Sequence, residues 1–451
     1  MSHDLQALAS SFGPDFVWGS ATSSAQIEGA AFEGGKGESI WDRFCRQPGS
    51  ILDNSNIDVA CDHVRLYKDD VARMKWLGLK AYRFSIAWPR VQPDGEGAWN
   101  EEGFAFYDRL IEELRANGIE AHCTLYHWDL PQALEERIGG WLSRDIVPRF
   151  AAYAAEVARR FGDRLASIAT HNEPWCTATL GYEKAQFAPG HKNRAEAYQV
   201  SHHLMMSHGA AIKAMRAVTK CKLGIVLNHT PSFPAEDTEA DRIITRIDDG
   251  TNVRWYMDAV FRGCYPADIV EWLGADAPKV EPGDMEIVLQ PLDFLGLNFY
   301  TRGFFSAKNP PVPAPGKLGF TDMGWEIYPL ALTQHLVRIT REYTPPPILI
   351  TENGMANPDV VSADGGVHDQ PRIDYLRMHL EAVARAKELG ADVRGYFYWS
   401  LLDNFEWNSG YLRRFGIFHV DYATQTRTAK DSAHWYRELI AQHRSAPGKN
   451  G

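Results

Sequence analysis

Two glutamates stand where short apolar runs give way to polar residues. One lies in Thr170-His171-Asn172-Glu173-Pro174, the other in Ile350-Thr351-Glu352-Asn353-Gly354. If both runs are strands of one barrel, both side chains sit at strand ends, where a cleft can form. A carboxylic acid facing a carboxylate across a cleft can break an acetal. The acid protonates the departing oxygen, and the carboxylate attacks or stabilises the cation left behind. The roles make opposite demands: the acid needs a poorly solvated setting that raises its pKa, the carboxylate needs positive charge and hydrogen-bond donors. By position alone each residue is weak evidence, because most glutamates are solvated surface groups.

The elements that would position them recur along the whole chain of 451 residues. Apolar, β-branched or aromatic runs occur at 16–18, 79–86, 119–126, 165–170, 222–227, 292–299, 347–350 and 393–399. Several are apolar almost continuously, as parallel strands covered on both faces must be. Amphipathic segments lie between them. Phe104, Tyr107, Leu110, Ile111 and Leu114 fall at helical spacing ahead of Gly118, and Ile373, Leu376, Leu380 and Val383 do so ahead of Gly390. Strand–helix alternation of this kind predicts an α/β fold, a single-domain (β/α)8 TIM barrel spanning residues 1–451 with its core over about 14–440. The fourth and seventh runs then lie across the ring from each other. Segments 28–56, 309–324, 357–370 and 404–414 read as loops on the C-terminal rim, where barrel enzymes build their sites.

Composition narrows the partners. Lys and Arg number 47 against 58 Asp and Glu, a net charge of −11, which disfavours a nucleic-acid partner. No run of ~18 apolar residues suggests a membrane span, and the first dozen residues lack the cationic and apolar regions of a secretory signal. The six cysteines (Cys45, Cys61, Cys123, Cys176, Cys221 and Cys264) are widely spaced and read as buried or idle thiols. Together these features predict a cytoplasmic protein with no metal and no cofactor. Aromatic residues reach 12%, which fits either a well-filled core or a cleft with flat apolar walls.

Further motifs follow in order: Phe16-Val17-Trp18-Gly19-Ser20-Ala21-Thr22-Ser23-Ser24-Ala25-Gln26-Ile27-Glu28-Gly29, Tyr82-Arg83-Phe84-Ser85-Ile86-Ala87-Trp88, Tyr126-His127-Trp128-Asp129-Leu130-Pro131, Leu297-Asn298-Phe299-Tyr300, and Tyr398-Trp399-Ser400-Leu401-Leu402-Asp403-Asn404-Phe405-Glu406-Trp407. With the two glutamate motifs, they resemble the retaining β-glycosidases of glycoside hydrolase family 1, of the β-glucosidase type, from Phe16 to about Trp435. The resemblance implies hydrolysis of terminal β-D-glucosyl, β-D-galactosyl or β-D-fucosyl residues from O-glycosides through a covalent glycosyl–enzyme. It makes Glu352 the nucleophile, with Arg83 and Tyr300 beside it, and Glu173 the acid/base. The two carboxyl groups are then expected ~5–5.5 Å apart. It also implies sugar contacts from Gln26, His127, Asn172, Asn298, Glu406 and Trp407, a platform at Trp399 and an aglycone-side platform at Trp325.

The implied partners are small β-glycosides or short oligosaccharides, with homo-oligomerisation compatible. Members acting on 6-phosphorylated sugars lack the glutamate found here at 406, and a carboxylate repels a phosphate dianion, so an unphosphorylated sugar is favoured over the 6-phospho-β-glycosidase alternative. Arg413 and Arg414 read as structural. A non-catalytic sugar-binding barrel is disfavoured because both glutamates are present, and a metal-dependent hydrolase, suggested by His202-His203-Leu204-Met205-Met206-Ser207-His208, lacks H-E-x-x-H spacing. Transfer to an alcohol acceptor stays open. His171 departs from the family pattern and reads as a packed histidine or a tuner of Glu173. Ala331 and Ile57 replace frequent glycines in loops. Strict strand alternation would put His171 and Glu173 on one face and Asn172 on the other, so the fourth strand must twist or bulge at its end.

Overall fold

A computed structural model describes residues 2–445. Each apolar run found in the sequence forms a strand: β1 (Val17–Ala21), β2 (Ala81–Ser85), β3 (Glu120–Tyr126), β4 (Ser167–Asn172), β5 (Lys222–Asn228), β6 (Phe294–Asn298), β7 (Ile348–Asn353) and β8 (Val393–Trp399). All neighbours are parallel, and β1 pairs with both β8 and β2, which closes the barrel. Closure leaves no strand edge unpaired.

The helices cover the outside for the reasons the spacing suggests. Helix Glu101–Ala116 buries Phe104, Tyr107, Leu110, Ile111 and Leu114 and carries Glu101 and Glu102 in its first turn, where the helix dipole favours negative charge. Gly118 follows with φ +71°, and Gly390 takes φ +101° beyond helix Gln370–Glu388. Inside the barrel some positions leave no room for a side chain. Gly19 is one concession to this: a Cβ there would lie 2.5 Å from the Phe397 ring.

Not every expectation about irregular segments holds. Segment 28–56, read as loop, contains helix Ile40–Phe44 with a reciprocal capping box between Ser39 and Asp42. The histidine-rich stretch lies on outer helix Arg194–Arg216. There His202 bonds Tyr265 Oη and Asp284, while His203 bonds the Trp141 carbonyl. Among the described residues no group of three His, Cys, Asp or Glu side chains is placed to hold a metal ion. Among them, too, no helix is long and apolar enough to cross a membrane.

The strand register matters most at the C-terminal rim. The ladders slip between Ala169 and Asn172 on β4, between Leu297 and Asn298 on β6, and between Tyr396 and Tyr398 on β8. Asn298 consequently pairs with Glu352. Irregular pairing at a barrel rim re-aims side chains that a regular pleat would send elsewhere.

Candidate active site

Glu173 shows how the re-aiming works. It follows the last residue of β4 and has φ +48°, the left-handed region that non-glycine residues seldom enter. Its amide still donates to Val226 O at 2.9 Å, so the ladder continues while the side chain swings round. Alternation is broken at this one residue: His171 points behind the strand, and Asn172 and Glu173 share the rim. His171 stacks on Phe150 (4.6 Å between centroids) and bonds Ser207 Oγ at 2.9 Å. Burial lowers its pKa and keeps it neutral. It is a packing histidine, with its bond going to the outer helix rather than to Glu173.

Glu352, at the end of β7, meets a different set of groups. Arg83 Nη1 donates to its Oε1 at 2.7 Å and Tyr300 Oη to its Oε2 at 2.7 Å. Arg83 also fixes the polarity of the whole network, because a guanidinium only donates. Its Nη2 lies 2.7 Å from Asn172 Oδ1, so that atom is the acceptor of the amide. Asn298 Nδ2 then donates to Asn172 Oδ1 (3.1 Å) and to Glu173 Oε1 (2.7 Å). Thr351 Oγ1 donates to Asn298 Oδ1, holding that amide the same way round. On its other side Asn172 Nδ2 donates to His127 Nε2 at 3.0 Å, which puts the imidazole proton on Nδ1. His127 is neutral, since burial and then the Arg83 charge push its pKa well down.

Both carboxyls open on one cavity of ≈ 590 Å³, within the usual range for small-molecule sites. Trp128, Trp325, Trp399, Trp407, Phe187 and Phe415 supply apolar wall, and His127, Asn298, Tyr300 and Glu406 supply polar groups. His127 lies nearly parallel to Trp399 and to Trp407, with centroids 5.7 and 5.8 Å away. Flat apolar faces beside polar side chains suit a pyranose, whose ring has hydroxyls around its edge and a less polar face.

Three carboxyls share this space with one guanidinium. Burial, and then the Glu352 charge, push Glu173 up to about 7. Burial with the two neighbouring glutamates takes Glu406 to about 8. Burial raises Glu352 as well, but Arg83 and Tyr300 oppose the rise, so of the two Glu352 is the one that loses its proton first. No hydrogen bond from a described residue reaches the Glu406 carboxylate, although its backbone is pinned by Gly410.

The site residues expected from the sequence divide into two tiers. Glu173, Glu352, Tyr300, His127, Asn298, Trp325, Trp399, Glu406 and Trp407 line the cavity. Arg83 and Asn172 stand behind the wall and orient it. Gln26 is also fully buried behind it: its amide donates to Asn404 Oδ1 and Phe405 O and accepts from Ser23, tethering the segment that carries Glu406. Arg413 and Arg414 pair with Asp322 and Asp403, each at 2.7 Å. Other wall residues escaped the sequence reading. Trp128 and Phe415 sat inside or beside quoted motifs. Cys176, read as a buried or idle thiol, is buried and lies 3.0 Å from Glu173 Oε2; its spacing of three residues from Glu173 was the available signal.

A closed (β/α)8 barrel whose rim sets a carboxyl rich in donors against one whose pKa burial raises, in an aromatic-walled cavity, defines the class of acid/base hydrolases acting on acetals. Residues 8–445 match the family described as glycosyl hydrolase family 1, and the chain belongs to it. It is 44% identical to a β-glucosidase of Agrobacterium sp., over 97% of each chain. It is 43% identical to a bifunctional β-D-glucosidase/β-D-fucosidase of Bifidobacterium breve, over 96% of this chain and 98% of that one. The structure of a β-glucosidase from Thermotoga maritima in complex with glucoimidazole superposes with a TM-score of 0.93 at 42% identity, covering 96% of this chain and 99% of that one.

Proposed function

We propose that this protein hydrolyses terminal non-reducing β-D-glucosyl residues from O-glycosides, with β-D-fucosyl and β-D-galactosyl residues as further substrates, and retains the anomeric configuration. The observation that carries the reading is the unequal equipment of two carboxyls in one cavity. Glu352 has a guanidinium and a phenol donating to it, whereas Glu173 is held near 7 by burial and by its neighbour's charge. The names of the relatives support glucoside and fucoside substrates.

The steps follow from those environments. Glu352 attacks the anomeric carbon while Glu173 gives its proton to the departing oxygen, which leaves with the C–O electron pair. The ester formed at Glu352 carries no charge, so one of the forces raising Glu173 is gone. Glu173, now a carboxylate, takes a proton from water as the water oxygen attacks the same carbon, and Glu352 is released. Double displacement at one carbon gives net retention and requires the carboxyls ~5–5.5 Å apart. Glu406, without a donor among the described residues, is positioned to bond sugar hydroxyls. Arg413 and Arg414 are already paired with Asp322 and Asp403, so neither is left for a 6-phosphate, which supports an unphosphorylated sugar. That all six thiols are free fits the reducing cytoplasm.

A panel of p-nitrophenyl α- and β-glycosides, including a 6-phospho-β-glucoside, tests the proposal. Cleavage of the β-glucoside with the β-anomer as first product by NMR is expected. Cleavage of none of the β-glycosides, or an inverted first product, defeats it.

A further inference from the structure

Cys176 opens the π-helical segment Cys176–Glu183, directly after the rim of β4, and its side chain lines the cavity. π-helical turns are uncommon and cluster at functional sites. Glu173 Oε1 accepts from Asn298 Nδ2, and that amide cannot be turned round, because Arg83 makes Asn172 Oδ1 an acceptor and Asn298 must present its Nδ2 to it. In the neutral acid Oε1 is therefore the carbonyl oxygen, and the acidic proton belongs on Oε2. The atom beside Oε2 is Cys176 Sγ, at 3.0 Å.

We propose that Cys176 is a positioning residue for the acid/base: its sulfur accepts the resting proton of Glu173 Oε2, and its own S–H turns to donate to Oε2 once that proton has left. The inference rests on the role proposed above for Glu173. The balance is simple. The Oε2–H bond breaks as the O–H bond to the departing oxygen forms, and the thiol keeps its hydrogen and only rotates about Cβ–Sγ. Burial and the Glu173 charge hold the thiol far above its usual range, so it is a thiol throughout. Sulfur is a weak acceptor and a weak donor. It aims the proton along one direction without holding it strongly in either state. A hydroxyl in its place would favour the anion, and a methyl would leave the anion without its second donor.

The other charged or titratable groups around Glu173 are Glu352, Arg83, Tyr300 and Glu406, with His127 and His229 on the cavity wall held neutral by burial, and all stay in place in the test. The pH dependence of kcat/KM for an alkyl β-glucoside is measured with the full-length native protein, Cys176→Ser and Cys176→Ala, with thermal melts to verify folding. Cys176→Ser is expected to move the basic limb down by about 0.5 pH unit and Cys176→Ala to move it up by a similar amount, with the acidic limb unmoved. A basic limb unmoved in both variants, or moved the same way in both, overturns the inference. If Cys176→Ala does not fold, the near-isosteric Cys176→Ser decides alone: a downward shift supports the inference and an unmoved limb overturns it. Glu173→Gln separates the two readings. If it keeps the native basic limb, the assignment of Glu173 as acid fails. If the limb vanishes there yet stays put in the Cys176 variants, only the role of the thiol fails.

Discussion

Two clusters of buried charge lie on either side of the β8 rim, and each contains three carboxyls. In the cavity, Glu173, Glu352 and Glu406 share one cation, Arg83. Behind the rim, Asp359, Asp369 and Asp403 meet Arg372, Arg414 and Lys430. Arg372 pairs with Asp359 at 2.6 Å and also bonds Asp369, Lys430 reaches Asp359 at 2.5 Å and Asp403 at 2.7 Å, and Arg414 takes the other side of Asp403. The second cluster is balanced, three against three. Burial pushes Asp359 up, but Lys430 and Arg372 more than offset this and hold it below the usual carboxyl range. In the cavity one cation cannot offset burial for three acids, so Glu173 is pushed up to about 7 and Glu406 to about 8. The same residue types therefore do structural work where every charge has a partner, and chemistry where charges are left short of partners beside open space. The clusters are also connected in purpose. Arg372, Lys430 and Arg414 tie helix Gln370–Glu388 to segments 355–359 and 403–414, and the latter carries Glu406 and Trp407.

The contrast breaks most visibly at Glu352. Glu352→Gln should lower kcat/KM for an aryl β-glucoside by ~10⁴-fold or more, because it removes the nucleophile, while the melting temperature is held or raised. Residual activity within tenfold of native would mean the unbalanced cluster is not where the chemistry happens. On the balanced side, Lys430→Met leaves Asp359 and Asp403 with fewer cations in a buried setting. Such a loss costs ~3–5 kcal/mol, so the thermal melt should fall by several degrees with a secondary loss of activity. An unchanged melt would show that this network is not a structural tie.

The smallest effect sharpens the comparison through pH. Glu406 has a folded pKa of about 8 against an ordinary 4.5. A raised folded pKa means the group costs nothing below the unfolded value and costs progressively more as pH rises towards the folded value. Glu406→Gln should accordingly leave the melting temperature unchanged near pH 4 and raise it by ~1–3 °C at pH 8, while weakening glucoside turnover at both. A gain at low pH that disappears at high pH would reverse the electrostatic reading.

Much of this was legible before any coordinates. The eight barrel strands sit where apolar runs occur, and helix Glu101–Ala116 buries the residues its spacing marked. The two glutamates could be located because a strand end followed by polar residues is a local pattern. The facing of Glu173 was not legible from periodicity, which assigns it to the side of His171; the resemblance called for a twist or bulge there, and the left-handed backbone at that residue supplies the reversal. Gln26 is a sugar contact by resemblance, and only the tertiary structure shows its amide also tethered to Ser23, Asn404 and Phe405. The Arg372 cluster had no signal at all, because its members are scattered from 359 to 430.

By itself the sequence determined the barrel, its strand boundaries to within a few residues, and the placing of two glutamates at strand ends. Each of those depends on patterns within a few neighbouring positions, which the backbone periods of strand and helix convert directly into structure. Tertiary structure alone decided which acid holds the proton, which oxygen of Glu173 bears it, and that a cysteine stands beside it. Those outcomes depend on burial, on the direction of each hydrogen bond and on charges brought together from distant segments, and a linear chain encodes none of them locally.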